Sequence, residues 1–120
     1  MPAPNMFIVY VNDVQASAAF YGDLFEIEPA FTSPRFIAFD LGGGVKLALW
    51  NGGRGVEPGT PRTSEVCLNL QGGAAVIDAT FSSWSDRGVS VIEPPHDDIF
   101  GRTFVVADPD GNLIRVAPVD

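Results

Sequence analysis

Cysteine, histidine and basic residues are all scarce in this 120-residue chain, and it has no long apolar run. A single cysteine, Cys67, leaves no intrachain disulfide to form, so nothing implies an oxidising compartment. Only seven Lys and Arg stand against fifteen Asp and Glu, a formal net charge of −8. The basic residues are spread along the chain and make no cluster of the kind that phosphate contacts need, which excludes a nucleic-acid partner. No apolar stretch approaches the ~20 residues that span a bilayer, so no membrane partner is expected. Met1 to Asn5 lacks the basic start and apolar run of a signal peptide, and a cytoplasmic protein is the expectation.

What is present suffices for a core. Hydrophobic residues make up 46% and charged residues 18%, a globular balance, and the length suits one domain rather than two independent ones. Met6 to Val11 reads as a buried strand. Asn12-Asp13 then offers an N-cap to a helix over Val14 to Phe25, with Val14, Ala18, Tyr21 and Phe25 on one face. Pro29 and Pro34 mark a turn region, and strands follow over Arg35 to Leu41 and Val45 to Trp50, joined by Gly42-Gly43-Gly44.

The second half repeats this order. Glu65 to Leu70 is a strand, Ala74 to Arg87 a helix with Ile77, Phe81 and Trp84 on one face, and Val89 to Ile92 a short strand ended by Pro94-Pro95. Arg102 to Ala107 and Asn112 to Ala117 form a hairpin across Asp108-Pro109-Asp110-Gly111. The expected fold class is α+β: tandem βαβββ modules forming a curled, half-open mixed sheet with helices on the outer face. Residues 5–50 make module one, 51–62 a linker rich in Gly and Pro, and 63–118 module two, all within one domain.

Strand side chains alternate between faces, so each strand divides into a set that meets the helices and a set that does not. Val66, Leu68 and Leu70, with Ile114 and Val116, read as helix-facing, as do Leu47 and Leu49. The opposite set, Met6, Ile8, Tyr10, Ala48, Trp50, Glu65, Cys67, Asn69 and Arg115, would line a concave face. Apolar walls with a few polar groups are what a small-molecule cleft needs. Trp50 is the expected stacking residue, Tyr10, Ala48, Cys67 and Asn69 further lining, and Arg35 a contact at the cleft mouth or a surface residue. Cys67 reads as a small filler rather than a nucleophile, Trp84 as core, and His96 as an exposed loop histidine.

Asn12-Asp13, Phe20-Tyr21-Gly22-Asp23-Leu24-Phe25 and the late Asp108-Pro109-Asp110-Gly111-Asn112 together resemble the glyoxalase, bleomycin-resistance and extradiol-dioxygenase superfamily, over essentially the whole chain. Ser33 to Phe39, Ala48-Leu49-Trp50, Phe100 to Phe104 and the tail Asp108 to Asp120 look more narrowly like its phenazine antibiotic resistance proteins. The resemblance implies paired βαβββ modules and, in the enzymes, a divalent metal held by the first and last strands of each module. Those ligand positions fall on Met6, Ala48, Glu65 and Arg115. Arg stays protonated and cannot ligate, and one carboxylate will not hold a metal, so neither metal nor cofactor is expected. Glu65 and Arg115 could instead meet as an ion pair in the vacated place, or contact a ligand.

The resemblance therefore implies a non-catalytic homodimer that sequesters a planar, phenazine-like antibiotic in a cleft at its interface. The alternative is a metal-dependent glyoxalase- or dioxygenase-type enzyme of the same superfamily. A third class uses the fold for interaction or regulation without a ligand.

Overall fold

The computed structural model describes residues 3–52, 57 and 59–119. The chain divides into two compact units, Met1–Thr60 and Pro61–Asp120. Each contains one helix and one four-stranded mixed sheet in the order βαβββ, as the sequence leads one to expect. Of the linker expected at 51–62, residues 53–56 and 58 lie outside the described residues.

In the first unit, β1 (Met6–Tyr10) leads to α1 (Val14–Phe25), then β2 (Pro29–Thr32), β3 (Phe36–Gly42) and β4 (Val45–Trp50). The sheet order is β1-β4-β3-β2, with β1 parallel to β4 and the other pairs antiparallel. Asp13 caps α1 by accepting a hydrogen bond from the Ala16 N–H at 3.0 Å. The helix buries Val14, Ser17, Ala18, Tyr21 and Leu24. Gly22 lets the chain turn back closely: a Cβ there would stand 3.0 Å from the Ile27 carbonyl oxygen and 3.7 Å from the Phe39 ring. Fully buried Tyr21, Phe39 and Leu49 are among the largest side chains of this core.

The second unit runs β5 (Glu65–Leu70), α2 (Gly73–Asp86), β6 (Ser90–Asp98), β7 (Gly101–Ala107) and β8 (Leu113–Pro118), in sheet order β5-β8-β7-β6. Again the first strand runs parallel to the last. Phe104 on β7 packs edge-on against Phe81 and Trp84 of α2, with ring centroids 5.2 and 5.6 Å apart. Trp84 is thus a core residue, 5% exposed. Among the described residues, no helix is long and apolar enough to cross a membrane.

Two local expectations need correcting. The stretch after Pro29, read as a turn region, contains strand β2, which pairs with β3 through an irregular register between Pro29 and Phe31. Four residues opened by a proline carry too little pattern to announce a strand, and an edge position tolerates the missing N–H. Likewise β6 does not end before Pro94-Pro95 but continues to Asp98, taking up both prolines through register shifts between Val91 and His96. It too is an edge strand, so those absent donors break no ladder on its outer side. His96 therefore lies in a strand, not in a loop.

The β7–β8 connection is held by one side chain. Asp108, 4% exposed, accepts hydrogen bonds from the backbone N–H groups of Asp110 and Asn112 and from the Asn112 side-chain amide, each at 2.8 Å. Arg62 adds a clamp from outside, donating to the Asp110 carbonyl at 2.6 Å and to Asn112 Oδ1 at 3.2 Å. Truncation by Asp108→Ala leaves three donors without their acceptor. The expected cost is about 2 kcal/mol, read as a lower urea midpoint at an unchanged slope. A shift under about 0.5 kcal/mol would show that the turn holds itself.

Candidate functional site

The helix of each unit covers one face of its sheet, and the candidate site residues gather on the other. In the first unit, register places Met6, Ile8 and Tyr10 of β1 beside Lys46, Ala48 and Trp50 of β4, and these beside Asp40, Ala38 and Phe36 of β3. Tyr10 and Trp50 stack with centroids 5.9 Å apart and planes 29° apart. Trp50 meets Phe36 edge-on at 6.4 Å, and Phe36 meets Phe31 of β2 at 6.2 Å. One row of rings thus crosses all four strands, with Trp50 in its middle. Beside it the paired Ala38 and Ala48 add only methyl groups, and both are buried.

The local sequence explains why the row forms. The Ser33 N–H and hydroxyl both donate to the Phe36 carbonyl, at 2.9 and 2.7 Å, while the Ser33 hydroxyl accepts from the Phe36 N–H at 3.1 Å. This closes the turn around Pro34 and fixes where β3 begins. Arg35 is exposed and directs its Nε to Asn51 Oδ1 at 3.2 Å, so it fastens the exit of β4 and not the ring row itself. Phe31 and Phe36 are the lining residues that strand parity missed. Carrying the alternation across from Trp50 into β3 would have found Phe36, whereas Phe31 lies on a strand with no legible pattern.

In the second unit, Glu65, Cys67 and Asn69 share a face with Arg115 and Ala117. Arg115 donates from Nε and Nη2 to the two Glu65 carboxylate oxygens at 2.7 and 3.2 Å, and from Nη1 to the Thr103 hydroxyl at 3.1 Å. The hydroxyl of buried Thr103 in turn donates to the Val116 carbonyl at 2.7 Å. Glu93 stands 3.9 Å from Arg115 Nη2, and the Phe100 ring lies 5.3 Å from the guanidinium carbon. His96 joins from β6, its Nε2 3.5 Å from Glu93 and 3.7 Å from Asp98, its Nδ1 2.8 Å from the Pro94 carbonyl oxygen. Asn69 donates to the Pro118 carbonyl at 3.2 Å, at the far end of the same strand pair. Thr103, Glu93 and Phe100 were not assigned to this face from the sequence, and His96 was read as an exposed loop residue because the two prolines hid the strand that carries it and Glu93.

The positions that the family uses for metal ligands do not fit a metal here. Met6 offers a thioether and Ala48 no donor. Both Glu65 oxygens are taken by a guanidinium that is itself a fixed cation and repels another. Among the described residues, no three His, Cys, Asp or Glu side chains come together as a metal site. The hydrogen bond to Glu65 pushes the Arg115 pKa further up, against desolvation, with the charges of Glu65 and Glu93 adding to the rise.

Cys67 reports on this pair. Partial burial of its thiol raises the pKa, the Glu65 carboxylate raises it further, and Arg115 pulls it down. Because the thiolate is the nucleophile, alkylation by iodoacetamide at pH 8 should run slower than for a free thiol. Glu65→Gln removes a raising charge and releases the guanidinium, so the rate should climb a few-fold. Arg115→Met removes the lowering charge, and the rate should fall. Equal rates in all three proteins would show that the pair exerts no field at Cys67.

With this geometry in hand, the comparisons with known proteins are specific. The family model described as the Glyoxalase/Bleomycin resistance protein/Dioxygenase superfamily matches residues 3–116. The phenazine antibiotic resistance protein EhpR of Enterobacter agglomerans is 42% identical over 120 residues, which covers 98% of this chain and 92% of that protein. Among solved structures, protein ATC0852 from Agrobacterium tumefaciens superposes with a TM-score of 0.81 at 33% identity, covering 98% of both chains. A glyoxalase-related enzyme from Fulvimarina pelagi gives 0.78 at 23% identity over 98% of this chain and 88% of its own, a likeness of fold. Fold, motif positions and matched length agree, and the chain belongs to the glyoxalase/bleomycin resistance protein/dioxygenase superfamily.

Proposed function

We propose that this chain binds a planar aromatic antibiotic of the phenazine type and sequesters it without chemical change, acting in the cytoplasm as a metal-free homodimer. The observation that carries the reading is the ring row Tyr10–Trp50–Phe36–Phe31. Aromatic side chains prefer offset or edge contacts, and each such pair adds about 0.5–1.5 kcal/mol beyond the area it buries. A flat fused-ring ligand can meet several members of the row at once, whereas an aliphatic one of equal area gains no stacking. The resistance to phenazines named for the 42% identical relative points to the same ligand class.

Binding without catalysis is favoured by how the polar side chains of the second unit are engaged. Glu65 and Arg115 neutralise each other and are committed to hydrogen bonds, so neither is a poised acid, base or Lewis-acid holder. Arg35 and the buried Ala48 in the first unit, and Cys67 and Asn69 in the second, are further candidates on the faces of their own units. The dimer is favoured by β1, an edge strand whose Met6, Phe7, Ile8 and Tyr10 are 38–54% exposed. Apolar side chains on both faces of an edge are what a symmetric partner covers.

The test is a fluorescence titration of chelator-treated protein with phenazine and substituted phenazines, together with sedimentation to determine whether the mass is twice the 12.8-kDa chain. Saturable quenching at micromolar ligand is expected. Trp50→Ala should weaken it about 30-fold, which corresponds to about 2 kcal/mol at 1.4 kcal/mol per tenfold. No binding by any planar aromatic, or undiminished binding by Trp50→Ala, overturns the reading.

A further inference from the structure

The geometry points to Gly52 as a positioning residue that holds the Tyr10 ring against Trp50 and so sets the attitude of the stacking surface. This rests on the reading of Trp50 as the ligand's stacking partner. Gly52 lies two residues beyond the end of β4 with φ +59. A Cβ there would come within 2.6 Å of Tyr10 Cε1 and 2.9 Å of Cδ1, closer than real Cβ atoms approach anything. The Gly52 backbone therefore lies against the same ring that stacks on Trp50 at 29°.

Neither neighbour can yield freely. Beside Tyr10, the Val11 N–H donates to the Trp50 carbonyl at 3.1 Å. Asn51 is bound on the opposite side, its N–H donating to the Arg35 carbonyl at 3.4 Å and its side chain accepting from Arg35 Nε at 3.2 Å. With both strand ends pinned, a side chain at position 52 displaces the ring of Tyr10 rather than the chain. A rotated Tyr10 no longer lies near-parallel to Trp50, and the indole loses the neighbour that restricts it on the β1 side.

Backbone strain and ring displacement can be separated within this molecule. Gly43 has φ +61, almost the value of Gly52, yet a Cβ there meets nothing within 4 Å. Gly43→Ala thus carries the left-handed strain alone, and Gly52→Ala carries the strain together with the clash. If only the turn matters, the two variants behave alike.

The experiment uses full-length protein labelled with 5-fluorotryptophan, which gives one fluorine resonance each for Trp50 and Trp84, assigned by Trp50→Phe. Gly52→Ala should move the Trp50 resonance, leave that of the buried Trp84 in place, and weaken phenazine binding about fivefold, within the range of coupled neighbours. Gly43→Ala should change neither. Adding Gly52→Ala to Tyr10→Ala should cost little more affinity than Tyr10→Ala does by itself, since the clash partner is gone. Should Gly52→Ala fail to fold, Tyr10→Ala itself must move the Trp50 resonance and weaken binding. A Trp50 resonance and affinity that respond equally to Gly43→Ala and Gly52→Ala overturn the proposal, as does a silent Tyr10→Ala. Binding that survives Trp50→Ala sinks the stacking reading itself, while the fluorine shifts still report on whether Gly52 holds Tyr10.

Discussion

A helix of 12 or 14 residues covers one face of a four-stranded sheet and leaves the other to be occupied by something else. Side-chain alternation makes this constraint absolute, since every second residue of β4 or β8 must point away from the helix. On the helix side the two units solve the problem alike, with Phe39, Leu47 and Leu49 in one and Phe104, Ile114 and Val116 in the other fully or nearly fully buried. On the far side they diverge. The first unit fills the positions with rings and methyl groups, the second with an arginine, carboxylates and a threonine. The difference in chemistry lies entirely in the outward half of each strand, which can change without touching the core beneath it.

The two faces also differ in what they can still do. Arg115 spends its donors on Glu65 and Thr103, and Phe100 lies against it. A ligand carboxylate competing for this guanidinium would have to displace Glu65, which costs the hydrogen bonds and leaves a carboxylate unpaired. The ring row is held by contacts of another kind. Contacts among aromatic edges and faces are worth little individually and are exchanged for contacts to a ligand at small cost. Ring contacts in the first unit and a bidentate charge pair in the second are the contrast that follows.

Much of this was legible in the sequence because strong alternation survives translation into structure. Val45 to Trp50 and Glu65 to Leu70 declared their two faces plainly, and Tyr10, Ala48 and Trp50 do share one of them. The N-cap of α1 and the Asp108 turn were equally open to reading, since an Asp at an N-cap or before Pro-Asp-Gly has few other uses. Part of what escaped notice sits on edge strands. Pro29 opens β2 and Pro94-Pro95 interrupts β6, and a proline in a pattern argues against a strand unless the sheet order is known. With β6 went His96 and Glu93, and with β2 went Phe31. The tight approach of Gly52 to Tyr10 had no sequence signal at all, because a glycine in a Gly- and Pro-rich stretch is indistinguishable from one that merely turns the chain.

The arginine at position 115 also bears on what a side chain can supply at a position where the superfamily's enzymes are expected to place a metal ligand. A divalent ion between strands neutralises carboxylates and ties the strands together, and a protein that loses its ligands loses both effects. A guanidinium restores them from within the chain: its fork spans the two oxygens of Glu65 on β5, while its third contact reaches Thr103 on β7. β5 and β7 are the two strands that flank β8, so one side chain braces the sheet across three strands. Unlike a metal, it offers no exchangeable coordination position and no bound water to activate. The contacts that brace three strands of the second module are thus made by a side chain with no coordination position to offer.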